Sequence, residues 1–219
     1  MNHTFIVTHS AGELDIILPI IVDLLKKKSS KINIIITKKD IFNSIKIDNT
    51  YQKILYSKNI SYKYTPLLNK FDHGELNFFL NLIYKFILSF SFLLKNFNIL
   101  RSNYIYIETT NQISKDLVFY FLNNIFKKKF YILHHAHSYN IANDNFKLNP
   151  TKPINYEYLI FSKKHIGWCN SMGYKKNKII GFPKFFLNWI KEISKYDNFR
   201  KKNNYVIFSR PPHKFYMSK

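Results

Sequence analysis

Three histidines stand within four residues at His134-His135-Ala136-His137, and Ser138-Tyr139-Asn140 follows them. Imidazole changes charge near neutral pH, so such a cluster can take a proton from a hydroxyl or donate to a phosphate. Clustered imidazoles can also hold a metal. Cys169 is the only cysteine, however, and no H-E-x-x-H or C-x-x-C pattern occurs, so no metal site is expected. The plain alternative is a coincidental solvated cluster. A second group is His9-Ser10-Ala11-Gly12-Glu13. Gly12 permits close backbone approach, and a helix behind it would offer free N–H groups to a ligand. The plainer reading of the same residues is a tight turn capped by Ser10 or Asp15. Gly181-Phe182-Pro183 can turn the chain sharply or admit a ligand, and Arg210 could meet a diphosphate. Acids are scarce. Glu108 ends an apolar run and could reach the same crevice, whereas Asp116 is read as a helix-dipole partner.

These residues need elements to place them, and the apolar pattern alternates between strand and helix. Thr4 to Thr8 and Ile32 to Thr37 are short β-rich runs, apolar on both faces, as strands of a covered parallel sheet are. Between them Leu14, Ile17, Leu18, Ile21, Val22 and Leu25 recur at helical spacing, with Pro19 expected in the first turns. A weaker helix is expected at about 40–45. Short extended segments are expected at Ile54–Ser57 and Ile60–Tyr64. A long helix follows over 76–97. Strands are expected at Tyr104–Ile107, Phe130–Leu133, Tyr158–Phe161 and Lys178–Gly181, with a helix over 113–126 facing inward through Leu117, Tyr120, Phe121 and Ile125. Ser162 is placed to cap a short helix that Gly173 ends. A helix over 185–196 leads out, and Asn204–Phe208 reads as one more strand. The polar stretch 134–153 is long for a connection, as functional loops often are. Repeated strand–helix units give an α/β fold: a Rossmann-like parallel sheet with helices on both faces, and ligands beyond the carboxyl ends of its strands.

The formal charge is +21, from 34 Lys and Arg against 13 Asp and Glu. A nucleic-acid partner is not expected. The cations are lysines apart from Arg101, Arg200 and Arg210, and Asn, Ile, Phe and Tyr are abundant beside them, as AT-rich codon usage produces. A cationic surface still favours anionic partners, including nucleoside diphosphates and acidic lipid headgroups. One cysteine and no secretory pattern fit a cytoplasmic protein. The apolar run Phe78–Leu94 carries Asn81 and Lys85 and falls short of the roughly 20 residues of a spanning helix, so it reads as buried or interfacial.

Three passages together resemble the N-terminal half of glycosyltransferases built from two facing Rossmann-like domains, the GT-B architecture, with capsule and surface-polysaccharide transferases nearest. They are Thr8-His9-Ser10-Ala11-Gly12-Glu13 with Leu18-Pro19 behind it, Leu133-His134-His135-Ala136-His137, and Phe161-Ser162 through Gly173 to Lys178-Ile179-Ile180-Gly181-Phe182-Pro183. The resemblance implies an acceptor-side domain over 1–183, a linking helix over 184–203 and the start of a donor-side domain over 204–219. It implies a nucleotide-sugar donor, a polysaccharide or lipid-linked acceptor, and no cofactor. The helix over 76–97, with its aromatics and nearby lysines, suits docking of a cytoplasmic protein on the inner face of the membrane, and equally a helix packed under the sheet. His135 or His137 would be the catalytic base, with Glu13 as the competing carboxylate. His9, Ser10, Gly12, Ser138, Gly181 and Arg210 would line the substrates. The donor domain would come from further chain or from a second subunit. A non-catalytic acceptor-binding subunit or fragment, or half of a sugar-nucleotide 2-epimerase, would share these features.

Overall fold

The structure is a computed structural model that describes residues 1–8, 11–26, 29–56, 59–67, 78–107, 117–133, 155–171 and 175–195. Seven strands form one sheet in the order β3-β2-β1-β4-β5-β6-β7, and every pairing is parallel. They are β1 (Asn2–Val7), β2 (Lys31–Ile36), β3 (Ile60–Tyr64), β4 (Tyr104–Ile107), β5 (Lys129–Leu133), β6 (Tyr156–Ile160) and β7 (Asn177–Ile179). The helices are α1 (Leu14–Leu25), α2 (Lys39–Ile47), α3 (Asn49–Leu55), α4 (Phe78–Lys95), α5 (Leu117–Tyr120), α6 (His165–Ser171) and α7 (Leu187–Ile193).

Alternation along the strands builds two cores. Phe5 and Val7 of β1 join Ile34 and Ile36 of β2 beneath α1, α2 and α3. Ile6 and Ile35 point the other way and meet Phe92 of α4, Phe119 of α5 and Cys169 of α6. Strands apolar on both faces are what a sheet covered on both sides requires. The expected α/β architecture is therefore the one observed.

Several expectations shift. Ile54 and Leu55, expected as strand, end α3 instead. Asp48 accepts the Tyr51 N–H at 3.0 Å and caps that helix, a signal present in the sequence and outweighed by the apolar pair. Pro19 is early in α1, as its sixth residue, but past the first turn, where its missing N–H does remove a helix bond. The intrahelical bond to the Asp15 carbonyl is absent there. Val118 and Phe119 of α5 and Leu122 just after it are buried, while Tyr120 and Ile125 face outward. The segment is apolar all round, so its period could not choose a face. A π-turn at Phe121–Ile125 also shifts the phase. Lys127, with φ of 52°, ends that turn. The helix α6 begins at His165, later than a cap at Ser162 would set it. The segment around Gly173, the 134–153 stretch and the strand expected at Asn204–Phe208 lie outside the described residues.

Candidate functional site at the carboxyl edge of the sheet

The strand order fixes the site. From β1 the chain turns to β2, and from β4 it turns to β5, so neighbouring strands β1 and β4 send their connections apart. That reversal leaves a crevice beyond their carboxyl ends, where open parallel sheets bind ligands. The β1 exit carries Thr8 and the 9–13 loop. β5 ends at Leu133, and His134 follows directly. With only β4 between, the two exits share one edge and lie about 10 Å apart. His135, His137, Ser138, His9, Ser10 and Arg210 themselves lie outside the described residues, as do Glu108 and Asp116.

Glu13 is described, and its geometry is informative. It is fully buried, and its Oε2 accepts the backbone N–H of Thr8 at 3.0 Å. The carboxylate thus braces the two ends of the loop that carries His9 and Ser10. Gly12 stands exposed in the 3-10 turn beside it. Thr8 is buried at the end of β1, and its Oγ1 has no hydrogen-bond partner among the described residues. The sequence drew attention to the loop and passed over this hydroxyl. Its signal is position alone, the first residue past a central strand.

Asp15 does not cap the turn. It accepts the Tyr51 hydroxyl at 2.6 Å and the Lys184 ammonium at 3.2 Å, tying α1 to α3 and to the turn at Pro183–Phe185. Burial first, and then this carboxylate, raises the Tyr51 pKa, so the phenol stays protonated.

The β6 exit supplies two exposed cations, Lys163 and Lys164. Beside them His165 is buried, and the Ser162 N–H meets its Nδ1 at 3.0 Å. Burial lowers the His165 pKa, with the Ser162 backbone opposing, so the ring is neutral at pH 7. Lys38 and Lys39 stand exposed at the β2 exit. Lys38, Lys39, Lys163 and Lys164 thus outweigh one exposed acid, Asp40, at this edge, an arrangement suited to an anionic ligand.

Gly181 has φ of +78°, a left-handed conformation that glycine adopts without strain. It turns the chain back from edge strand β7 toward α1. The Phe182 ring packs on Phe161 at 4.6 Å, and Phe186 and Trp189 join the core under α1. The Asn188 amide donates to Asp23 at 2.6 Å and accepts from Lys26 at 2.6 Å. α7 thus rests against α1 through Asn188 and Trp189.

Among the described residues no group of His, Cys, Asp and Glu is arranged to hold a metal ion. Cys169 is buried, and burial pushes its thiol up to about 11. No family model, no curated protein and no solved structure matches this chain.

Proposed function

We propose that this chain is the acceptor-side half of a two-domain glycosyltransferase that moves a sugar from a nucleotide-sugar donor to a polysaccharide or lipid-linked acceptor. The observation that carries the reading is the shared carboxyl edge: the chain leaves β1 toward the Gly12-Glu13 turn and leaves β5 at Leu133, ahead of the three histidines, at the same edge of the sheet and on either side of β4. The reaction is a displacement at the anomeric carbon. The acceptor oxygen forms the new bond, the bond to the diphosphate oxygen breaks, and the nucleoside diphosphate leaves with the bonding pair. The acceptor hydroxyl proton passes to a base, for which His135 or His137 is our choice.

Glu13 suits bracing better than proton transfer, because its carboxylate already accepts the Thr8 N–H in a fully buried position. Gly12, His9 and Ser10 would then shape the acceptor pocket on a loop that Glu13 holds. The rim lysines would face the departing diphosphate, where fixed positive charge stabilises what develops in the transition state. The donor domain, on this reading, comes from residues beyond α7 or from a second chain. The work is done in the cytoplasm, where nucleotide sugars would serve as donors.

The test is acceptor-dependent release of nucleoside diphosphate, measured with a panel of nucleotide sugars and membrane extracts as acceptor source. The chain is supplied with its donor half. Turnover should fall about 10²–10⁴-fold in whichever of His135→Ala and His137→Ala removes the base. A loss under about threefold in both removes them as candidates. Binding of glycan without turnover would make the chain an acceptor-binding subunit. Steeply salt-dependent binding to DNA or RNA, with neither glycan nor nucleotide-sugar binding, would refute the proposal.

A further inference from the structure

Helix α4 is built inside out. Its inward face buries Phe92 and Leu93 but also Ser89 and Asn96, whose polar groups bond back to the Lys85 and Phe92 carbonyls at 2.7 and 2.8 Å. Its outward face is the more apolar one. Leu80, Ile83, Ile87, Phe90 and Leu94 recur at spacings of three and four, so they form one stripe, and each is 42–60 % exposed. A surface helix of a globular protein normally shows the opposite polarity.

The stripe continues onto the neighbouring element. Phe86 meets Phe121 edge-on at 5.6 Å, and beyond it Tyr120, Ile125 and Phe126 are exposed. Contiguous exposed apolar surface on this scale marks a contact site. No helix among the described residues is long and apolar enough to cross a membrane. With 18 residues α4 is about 27 Å long, enough to lie along a surface.

Charge selects the occupant. From Leu76 to Ile107 and from Leu117 to Leu133 the sequence contains no Asp or Glu, whereas Lys85, Lys95, Arg101, Lys127 and Lys128 all fall there. Lys85 and Lys95 are exposed on α4 itself, and the Arg101 guanidinium lies 5.3 Å over the Phe97 ring. An anionic surface with an apolar interior complements both properties at once.

We infer that the outer face of α4 and the adjoining α5 surface dock the protein on an anionic lipid bilayer. The helix lies in the interfacial plane, with the stripe in the acyl boundary and the lysines among the headgroups. β3 ends at the sheet's carboxyl edge and β4 starts at the opposite one. The connection between them, α4 included, therefore begins on the side of the candidate site and hands a membrane-bound ligand to that edge. This inference does not need the sugar chemistry.

The test is flotation of the full chain with phosphatidylcholine vesicles, with and without phosphatidylglycerol, at low and high salt. The expected result is co-flotation with the anionic vesicles, weakened by salt. Ile87→Gln, Phe90→Gln and Leu94→Gln combined should lower partitioning by about 10²-fold or more. Lys85→Gln and Lys95→Gln should each lower it roughly fivefold. The control is Ile47→Gln, at a residue 82 % exposed on α2 and away from the stripe, and it should change nothing. Circular dichroism establishes that each variant is folded, since all these side chains lie outside the core. Wild-type protein that stays unbound at low salt overturns the inference, as does equal flotation on neutral vesicles. A solution dimer that the triple variant dissociates overturns it in favour of self-association. The vesicles contain no glycan or nucleotide, so each of these failures leaves the glycosyltransferase proposal separately testable.

Discussion

Replacing Glu13 separates a scaffold role from a catalytic one. In Glu13→Ala the buried Thr8 N–H loses its acceptor, and an unmet buried donor costs about 1–3 kcal/mol. One buried methylene is also lost, at about 0.8 kcal/mol. Relief from burying an ionised carboxylate works in the opposite direction and reduces the sum. We therefore expect a net destabilisation of about 2 kcal/mol. Glu13→Gln keeps both methylenes and an oxygen that can accept the same N–H. Toward the Thr8 N–H it forfeits the charge assistance, about 1 kcal/mol. The order of stability should be wild type, then Gln, then Ala. Urea unfolding followed by tryptophan fluorescence and far-ultraviolet circular dichroism measures it, given equal slopes across the three proteins. If Glu13→Ala unfolds at the wild-type midpoint, or if Gln is as damaging as Ala, the carboxylate does not act as a brace through the Thr8 amide. Turnover of the complete enzyme adds a second readout. A brace predicts that Glu13→Gln retains most activity, whereas a catalytic base predicts its loss.

Other consequences follow from particular contacts. Asn123, almost fully buried, donates to the Lys128 and Asn155 carbonyls at 3.1 and 2.9 Å and pins the entries of β5 and β6 together. Asn123→Ala should cost about 2–3 kcal/mol in urea unfolding, and Asn123→Asp more at neutral pH, because a carboxylate would then face two carbonyl oxygens. Gly181→Ala should cost about 1 kcal/mol through backbone strain alone, since the added Cβ meets its nearest neighbour, a Phe186 ring carbon, at 4.0 Å. Trp189→Ala should destabilise the domain by at least about 1 kcal/mol if α7 is packed as described, and by nothing measurable if the helix is a free linker. Stability should vary with pH at both ends. The His165 pKa is lowered from its ordinary 6.5, so its contribution is present above that value and lost as pH falls below it. The Cys169 thiol is raised from 9.0 to about 11, so its contribution is intact below pH 9 and disappears as pH rises through 11. Thermal unfolding across that range checks both limbs, and slow labelling of Cys169 by a thiol reagent at pH 8, made fast by denaturant, checks the burial.

The sequence by itself determined the architecture, because runs such as Ile32–Thr37 are apolar at consecutive positions and only a sheet covered on both faces buries every one of them. It also located the two polar segments that leave β1 and β5, since His9–Glu13 and His134–Asn140 interrupt apolar runs abruptly. Strand order was not legible. Whether β4 follows β3 in space or returns to pair with β1 depends on which edges meet during folding, and that return alone creates the crevice beside Thr8. The facing of α4 and α5 was equally hidden. Both are apolar around most of their circumference, so periodicity carries no sign, and only packing against Ile105 and Phe130 decided which residues went inside. For Glu13 the sequence showed a carboxylate in a promising loop. The fold put it out of reach of water and against the Thr8 amide, because the 3-10 turn at Ala11–Glu13 curls the chain back over the end of β1.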